Sequence, residues 1–483
     1  MGYYFISIGG SGAKIMESLT HLCVAGLLPR REKLYVMAID PDTGNGNLNR
    51  SSAALKSFET FQNFAVGKET PLFKNKIELA DPFPWNPTEH DKTLDDIMLY
   101  QTMQPDVKTL YEVLYTRAER NTFLNEGFRG HPSIGAAVMA KKIPLDNWKD
   151  EESEPWNRFF ELVKQDKDGA TAKIFLAGSV FGGTGAAGMP TISRLLHSKF
   201  STYDRVAIGG ALVLPYFSFA TPTQEQTDGQ IYASSENFLT NTKAALKYYA
   251  LKDNVYDSMY FIGDDIMSPV KNFSVGALTQ MNDAHMVDFY GALAAIDFYQ
   301  TDLRNMKKCS YINHNDDNSF KWNDFPTLEN IDGEPFHIKE QFTQFTRFIF
   351  AYLHLVKPVL SGLASGEIKD YKYPWFIDYL RGIDVDSRDI QSFEKYAESF
   401  VLWLKQIETN NRDVRLIKQN SFDVEYGVKI SPDHFSTCAY DEDSGISIHE
   451  LWYRLTERKC ADEENTRGFG RFLRTLYDCC AID

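Results

Sequence analysis

Two glycine-rich stretches carry the residues best suited to chemistry. Gly9-Gly10-Ser11-Gly12-Ala13-Lys14 follows the apolar run Tyr3–Ile8, and Gly178-Ser179-Val180-Phe181-Gly182-Gly183-Thr184-Gly185 follows Lys173–Ala177. Each lies where a strand pattern gives way to a helical one. Glycine lets a backbone approach a ligand closely, and an opening helix offers free N–H groups with about half a positive charge. A single loop of this kind is more often a tight turn. Two at strand-to-helix junctions describe a polyphosphate gripped by main-chain N–H groups from two sides, so the chain is expected to bind a nucleotide.

Three phosphate-loop templates compete for these residues. A Walker A loop requires G-x-x-x-x-G-K-[ST]. Gly178 to Gly183 supplies its glycine frame, but Thr184 stands where the lysine belongs. A dinucleotide fingerprint requires G-x-G-x-x-G with an acid about 20 residues on. Gly10-Ser11-Gly12 opens it and Asp40 closes the second strand, while Ile15 takes the place of the third glycine. That reading, a Rossmann-type oxidoreductase, stays open and leaves the Gly182 loop without a role.

The third template accounts for both loops. Phe181-Gly182-Gly183-Thr184-Gly185-Ala186-Ala187-Gly188 resembles the G-G-G-T-G-[ST]-G signature of the tubulin/FtsZ family, with Phe181 at its first glycine. The order of parts is similar as well. Gly9-Gly10-Ser11-Gly12 matches the family's first phosphate loop, and Ala38-Ile39-Asp40-Pro41-Asp42 resembles the segment after its second strand. Gly130-His131-Pro132-Ser133-Ile134-Gly135-Ala136 resembles the loop facing the terminal phosphate, and Tyr256–Asp265 the V-D-x-L-I-x-I-P-N-D strand. Ala277–Tyr299 resembles the long central helix, with Asn282-Asp283 on the family's N-D pair. The resemblance covers roughly residues 1–300, and the chain looks closer to the divergent bacterial tubulin-like proteins than to FtsZ itself.

It implies GTP or GDP, with Mg2+, as ligand. Gly9, Gly10, Ser11, Gly12 and Ala13 would present N–H groups to the inner phosphates, and Lys14 would reach phosphate or ribose. Gly182, Gly183, Thr184 and Gly185 would cradle the phosphates from the other side, the Thr184 hydroxyl adding a donor. Gly135 would belong to the terminal-phosphate loop. Asp42, just beyond Asp40, would hold magnesium through water. Glu236, Asn237 and Asn241 are candidates for the ribose, and Asn282 or Asp283 would select guanine through its N1–H and N2 amine. In the family, hydrolysis is completed between subunits by an N-x-D-x-x-[DE] loop. No match to it occurs here, and Asp297, Asp302 and Asp324 are the nearby acids. The resemblance thus implies head-to-tail self-association into filaments, with GTP hydrolysis dependent on assembly. A scaffold that binds nucleotide without turnover, docking a protein partner through its helical C-terminal region, is the alternative from the interaction class.

The elements that must position these residues follow an α/β rhythm. Strands are expected at Tyr3–Ile8, Leu34–Ile39, Lys173–Ala177, Val206–Leu214 and Ser258–Ile262, apolar throughout as in a parallel sheet buried on both faces. Helical patterns occupy Ala13–Gly26, Gly185–Ser198, Glu236–Ala250 and Val275–Tyr299. The expectation is a doubly wound, mostly parallel sheet over 1–300, interrupted by an insertion at 51–128 with a helix at Thr93–Thr116. The polar stretch Lys307–Pro335 reads as a boundary loop, and 301–483 as a mainly helical second domain.

Composition narrows the function classes. A chain of 483 residues exceeds what one core usually serves. A net charge of −15 argues against general affinity for nucleic acid or anionic lipid. No uninterrupted apolar run approaches the roughly 20 residues of a membrane span. The nearest, Phe342–Ala364, contains Arg347, His354, Lys357 and Pro358 and suits a buried helix. The chain enters a strand directly after Met1-Gly2, so a cytoplasmic protein is expected. Its six cysteines form no C-x-x-C pair, and His131 and His285 have no second ligand at metal spacing, so no metal centre of the protein's own is expected.

Overall fold

The computed structural model describes residues 2–68, 70–125, 127–128, 130–143, 154–169, 171–218, 238–251, 255–264, 268–269, 281–306, 309–313, 320–321, 327–329, 335–410, 414–415, 448–457 and 467–481. Seven strands form its central sheet: β1 (Gly2–Ile8), β2 (Lys33–Ile39), β3 (Lys76–Leu79), β4 (Ala172–Ser179), β5 (Val206–Val213), β6 (Ser258–Gly263) and β7 (Cys309–Asn313). Their order is β3-β2-β1-β4-β5-β6-β7 and every pairing is parallel. β1 and β4 are buried along their whole length, because helices cover both faces.

The crossovers determine where a ligand can sit. From β1 the chain runs through α1 (Gly9–Val24) to β2 on one side, while from β4 it runs through α4 (Gly183–Phe200) to β5 on the other. Between these come α2 (Gly46–Phe61) and α3 (Pro132–Lys142). Right-handed crossovers leaving in opposite directions put α1 and α4 on opposite faces and open a crevice between the carboxyl ends of β1 and β4. α5 (Met286–Gln300) then packs beside α1, where Gly291 allows close approach: a methyl group there would lie 2.6 Å from Ile15 Cδ1. Nearly every residue of α5 is buried, as expected of a helix apolar on all sides. Its last carbonyls are gathered by the Lys173 ammonium, which donates to Phe298, Tyr299 and Thr301 at 3.2, 2.7 and 2.6 Å.

The C-terminal helices α6 (Ile338–Ala351), α7 (Arg388–Asn410) and α8 (Gly468–Cys479) share this core. Phe61 of α2 meets Phe393 at 5.3 Å between ring centroids, and Phe289 of α5 meets Trp403 at 5.5 Å. Trp403 Nε1 donates to Ser18 Oγ of α1 at 3.1 Å, and the buried His21 ring pairs with the Tyr396 hydroxyl at 3.0 Å. The expected second domain is therefore a helical layer built onto the face formed by α1, α2 and α5. Among the described residues, Ile338–Ala364 is the one helix long and apolar enough to cross a membrane, and 61% of its most apolar window is buried in protein. It passes through a π turn at Tyr352–Val356, just before Pro358 removes an N–H from the ladder.

Four sequence expectations need correction. The first part of the supposed insertion, 51–128, belongs to the sheet domain, because α2 is the crossover that delivers the edge strand β3. The helix expected at Thr93–Thr116 is broken into Leu94–Ile97, a 3-10 turn at Tyr100–Thr102 and Pro105–Leu114. Leu99 is left-handed, and Pro105 holds Gln104 extended. The boundary loop 307–335 contains β7, so the sheet continues past residue 300. Finally, residues 281–285 precede the central helix instead of forming part of it. His285 is its N-cap, in a capping box with Asp288.

Candidate functional site

The two glycine loops meet. A methyl group on Gly9 would lie 3.1 Å from Thr184 Cβ and 3.5 Å from the Gly185 nitrogen. β1 and β4 are hydrogen-bonded neighbours, with Ser7 opposite Ala177, so both loops leave adjacent strands at the same edge. Gly9 takes φ +70° and opens α1, so Gly9, Gly10, Ser11 and Gly12 form the first turn of a helix that starts earlier than Ala13. Ala13 and Lys14 are buried behind that turn. Gly12 is required by packing, since a Cβ would run into the Ala177 carbonyl oxygen.

The second loop is built in the same way. Gly182 is the N-cap of α4, followed by Gly183, Thr184 and Gly185 in its first turn. Gly185 packs on Ser179, where a methyl group would stand 2.6 Å from the carbonyl oxygen. Neither N-cap, Ile8 nor Gly182, makes a side-chain capping bond, and neither first turn contains an acid. Two helix N-termini therefore face one crevice with their N–H groups uncapped by side chains, the condition for anion binding.

The remaining candidates fall into three groups. Some lie at the crevice. Asp40 and Asp42 follow β2, where Asp40 Oδ1 accepts the Asp42 N–H at 3.1 Å and Asp42 Oδ1 accepts the Gly44 N–H at 3.1 Å. Burial pushes the Asp40 carboxyl up to about 8, with the Asp42 N–H opposing and the Asp42 charge adding to the rise. Asn241 Nδ2 donates to the Phe181 carbonyl at 3.4 Å, which places its helix, Phe238–Leu251, against the second loop. Phe128 and Gly130 come against the same loop: a methyl on Gly183 would lie 2.8 Å from the Gly130 nitrogen and 3.2 Å from the Phe128 carbonyl carbon. Gly135 sits on α3 instead of in that loop, where its missing Cβ makes room for Ala187 and Phe128.

Others sit elsewhere. Asp297 accepts the Tyr260 hydroxyl at 2.6 Å, and Asp302 is exposed, capping the turn Leu303–Asn305. Asp297 lies roughly 16 Å along α5 from its start at 1.5 Å per residue, and Asp302 lies just past its far end. Glu236, Asn237 and Asp324 fall outside the described residues.

Lys14 is engaged away from the crevice. Its ammonium pairs with Asp288 at 2.9 Å, donates to the Asp283 carbonyl at 3.2 Å and lies 5.1 Å from the centre of the Tyr216 ring. Tyr216 in turn donates to Asp288 at 3.0 Å. Behind this pair, Arg50 forks onto Glu17, with Nε 2.9 and 3.0 Å from the two carboxylate oxygens and Nη2 2.8 Å from one of them. Burial raises the Glu17 carboxyl and Arg50 opposes that rise. Asn282 and Asp283 lie in the irregular segment before α5, where Arg50 also donates to the Asn282 carbonyl at 2.9 Å.

Sequence reasoning missed Asn45, Asn47, Arg50, Glu17 and Asp288. Asn45 caps α2 through bonds from the Asn47 and Leu48 N–H groups at 2.9 and 3.3 Å. The Nδ2 atoms of Asn47 and Asn45 stand 3.4 and 3.5 Å from where a Gly10 Cβ would be. The run Asn45-Gly46-Asn47-Leu48-Asn49-Arg50 was the available signal: a capping asparagine opening a polar helix beside the first loop.

No family model and no curated protein matches the chain. Among solved structures, it is similar to CetZ2 from Haloferax volcanii in a GTPγS-bound protofilament. That likeness has 14% identity over 62% of this chain and 58% of that one, with a TM-score of 0.29. It is also similar to CetZ from Methanosaeta thermophila strain DSM 6194, at 14% identity over 55% of this chain and 46% of that one, with a TM-score of 0.24. The match thus spans less than two thirds of either protein.

Proposed function

We propose that the chain binds a guanine nucleotide with Mg2+ at the crevice between β1 and β4 and self-associates head to tail, in the manner of tubulin and FtsZ. The observation that carries this reading is the meeting of two helix N-termini, uncapped by side chains and free of first-turn acids, at the point where the sheet's crossovers diverge. Gly9–Gly12 and Gly182–Gly185 would hold the phosphates by their N–H groups, with the Ser11 and Thr184 hydroxyls beside them. Asp40 and Asp42 fit a magnesium ion bound partly through water, because a buried carboxyl held up near neutral pH is relieved by a divalent cation. The guanine edge falls to Asn282 or Asp283. Lys14, already paired with Asp288, has a bracing role in this proposal.

Head-to-tail contact would bring the pole at the end of α5, with exposed Asp302, onto the crevice of the next copy. Assembly-dependent hydrolysis belongs to the same proposal, with Asp302 as an exposed acid at that pole.

Thr184→Asp tests the site. A carboxylate in the first turn complements the helix dipole, so folding should hold, while its charge repels phosphate. GTP affinity should fall at least about a hundredfold with the melting temperature kept, as expected from removing about 3 kcal/mol of charge-assisted bonds. Unchanged GTP affinity in that variant, or NAD in place of guanine nucleotide in the purified wild type, rejects the reading.

A further inference from the structure

The three residues Asn282, Asp283 and Ala284 form a strap whose main chain is held by side chains from three helices. The Asn282 N–H donates to Asn47 Oδ1 at 2.8 Å, and its carbonyl accepts from Arg50 Nη1 at 2.9 Å. The Asp283 carbonyl accepts from Lys14 Nζ at 3.2 Å. The Ala284 N–H donates to Gln406 Oε1 at 3.1 Å, and its carbonyl accepts from Asn410 Nδ2 at 3.3 Å. Lys14 lies on α1, Asn47 and Arg50 on α2, and Gln406 and Asn410 one turn apart on the same face of α7.

We infer that Gln406 and Asn410 are positioning residues for base selection at the nucleotide site. This rests on the guanine-nucleotide reading above. The strap lies one side chain from the phosphate cradle, because Asn47, which holds Asn282 through Oδ1, points Nδ2 at Gly10. With five of the strap's six main-chain groups held in this way, its offer to a ligand is chiefly the side chains of Asn282, half-buried, and Asp283, exposed. Both carry oxygen acceptors, and the purine whose edge presents two adjacent donors is guanine. An acceptor discriminates only if it cannot swing to meet a different edge. Asn47, Arg50 and Lys14 fix the first two residues of the strap, and Gln406 and Asn410 fix the third, just before α5 begins. α7 is itself anchored one turn earlier by the bond from Trp403 to Ser18.

The experiment compares full-length wild type with Gln406→Leu, Asn410→Leu and the double variant in binding GTP, ITP, ATP and inorganic triphosphate. The preference for GTP over ATP, and over ITP, which lacks the 2-amino group, should shrink about fivefold for each lost hydrogen bond. Affinity for inorganic triphosphate should stay at the wild-type value, since the cradle is untouched. Gln406→Glu keeps the acceptor for the Ala284 N–H and should retain selectivity. Equal weakening of GTP and triphosphate, or undiminished selectivity in the folded double variant, overturns the inference while leaving the nucleotide reading standing. A wild type that binds none of the four probes removes the nucleotide reading itself.

Discussion

The phosphate cradle and the strap beside it are built on opposite principles. In the cradle the main chain does the recognition, and side chains are kept out: Gly9, Gly12, Gly182 and Gly185 are glycines because a Cβ would meet a neighbouring strand or loop or crowd the N-terminus. In the strap the main chain is the object being held, and side chains from α1, α2 and α7 supply the grip. A site made of backbone needs only a short local sequence and a strand end to aim it. A site made of distant side chains needs the whole helical layer in place. The cradle should therefore tolerate changes in α7, and the strap should not.

The largest test of that contrast removes the charge that ties the two together. Lys14→Met leaves Asp288, whose side chain is 0% exposed, buried beside Tyr216 without its cation. Urea unfolding should show a loss of about 3–5 kcal/mol, and Lys14→Met combined with Asp288→Asn, which removes the unpaired charge and keeps an acceptor, should recover part of it. Loss below about 1 kcal/mol would mean that the strap is braced chiefly from α2 and α7.

Gly12→Ala probes the cradle's own packing. Its methyl group has no room beside the Ala177 carbonyl, so a loss of about 3 kcal/mol is expected in thermal or urea unfolding. Wild-type stability would show that β1 and β4 separate easily at their carboxyl ends.

Asp40 gives a pH signature. Its carboxyl is raised in the folded protein, to about 8, above its ordinary value of 3.8. The folded state thus holds the proton more tightly, and the contribution is fully present below about pH 4 and lost as pH rises towards 8. In nucleotide-free protein, Asp40→Asn should match wild type at acid pH and exceed it progressively as pH rises towards 8. A stability difference that does not vary between pH 4 and 8 would place the ionised carboxylate in a solvated setting. The smallest effect is expected for Asn45→Ala, which removes the cap of α2 and should cost about 1 kcal/mol. A larger fall in GTP affinity than in stability would extend the cradle to Asn45.

The residues explain which parts could be read in advance. The runs Tyr3–Ile8 and Lys173–Ala177 are apolar enough to be nothing but buried strands, and the glycines after them mark turns into helices. β3 and β7 escaped notice because an edge strand is short and half-polar: Lys76-Ile77-Glu78-Leu79 has little to distinguish it from a loop. Asn282-Asp283 was read as helical because the apolar pattern around it is continuous. The His285 capping box ended that continuity, and a histidine cap is a weak sequence signal. Lys14 looked like a phosphate ligand by its place after Gly12. Its partner Asp288 lies in a distant part of the chain, and only packing of α5 on α1 reveals it.

By itself, then, the order of residues determined the alternation of strands and helices, the positions of the two glycine loops and the absence of acids from the turns they open. Those are local properties, set by side-chain size and backbone freedom within a few residues. The tertiary structure decided that Gly9 and Thr184 touch, that Lys14 faces Asp288, and that Gln406 and Asn410 reach the strap before α5. Each of these depends on which strands become neighbours and on which face of the sheet the helical layer settles. Burial of apolar surface over the whole chain selects those, and no short segment encodes them.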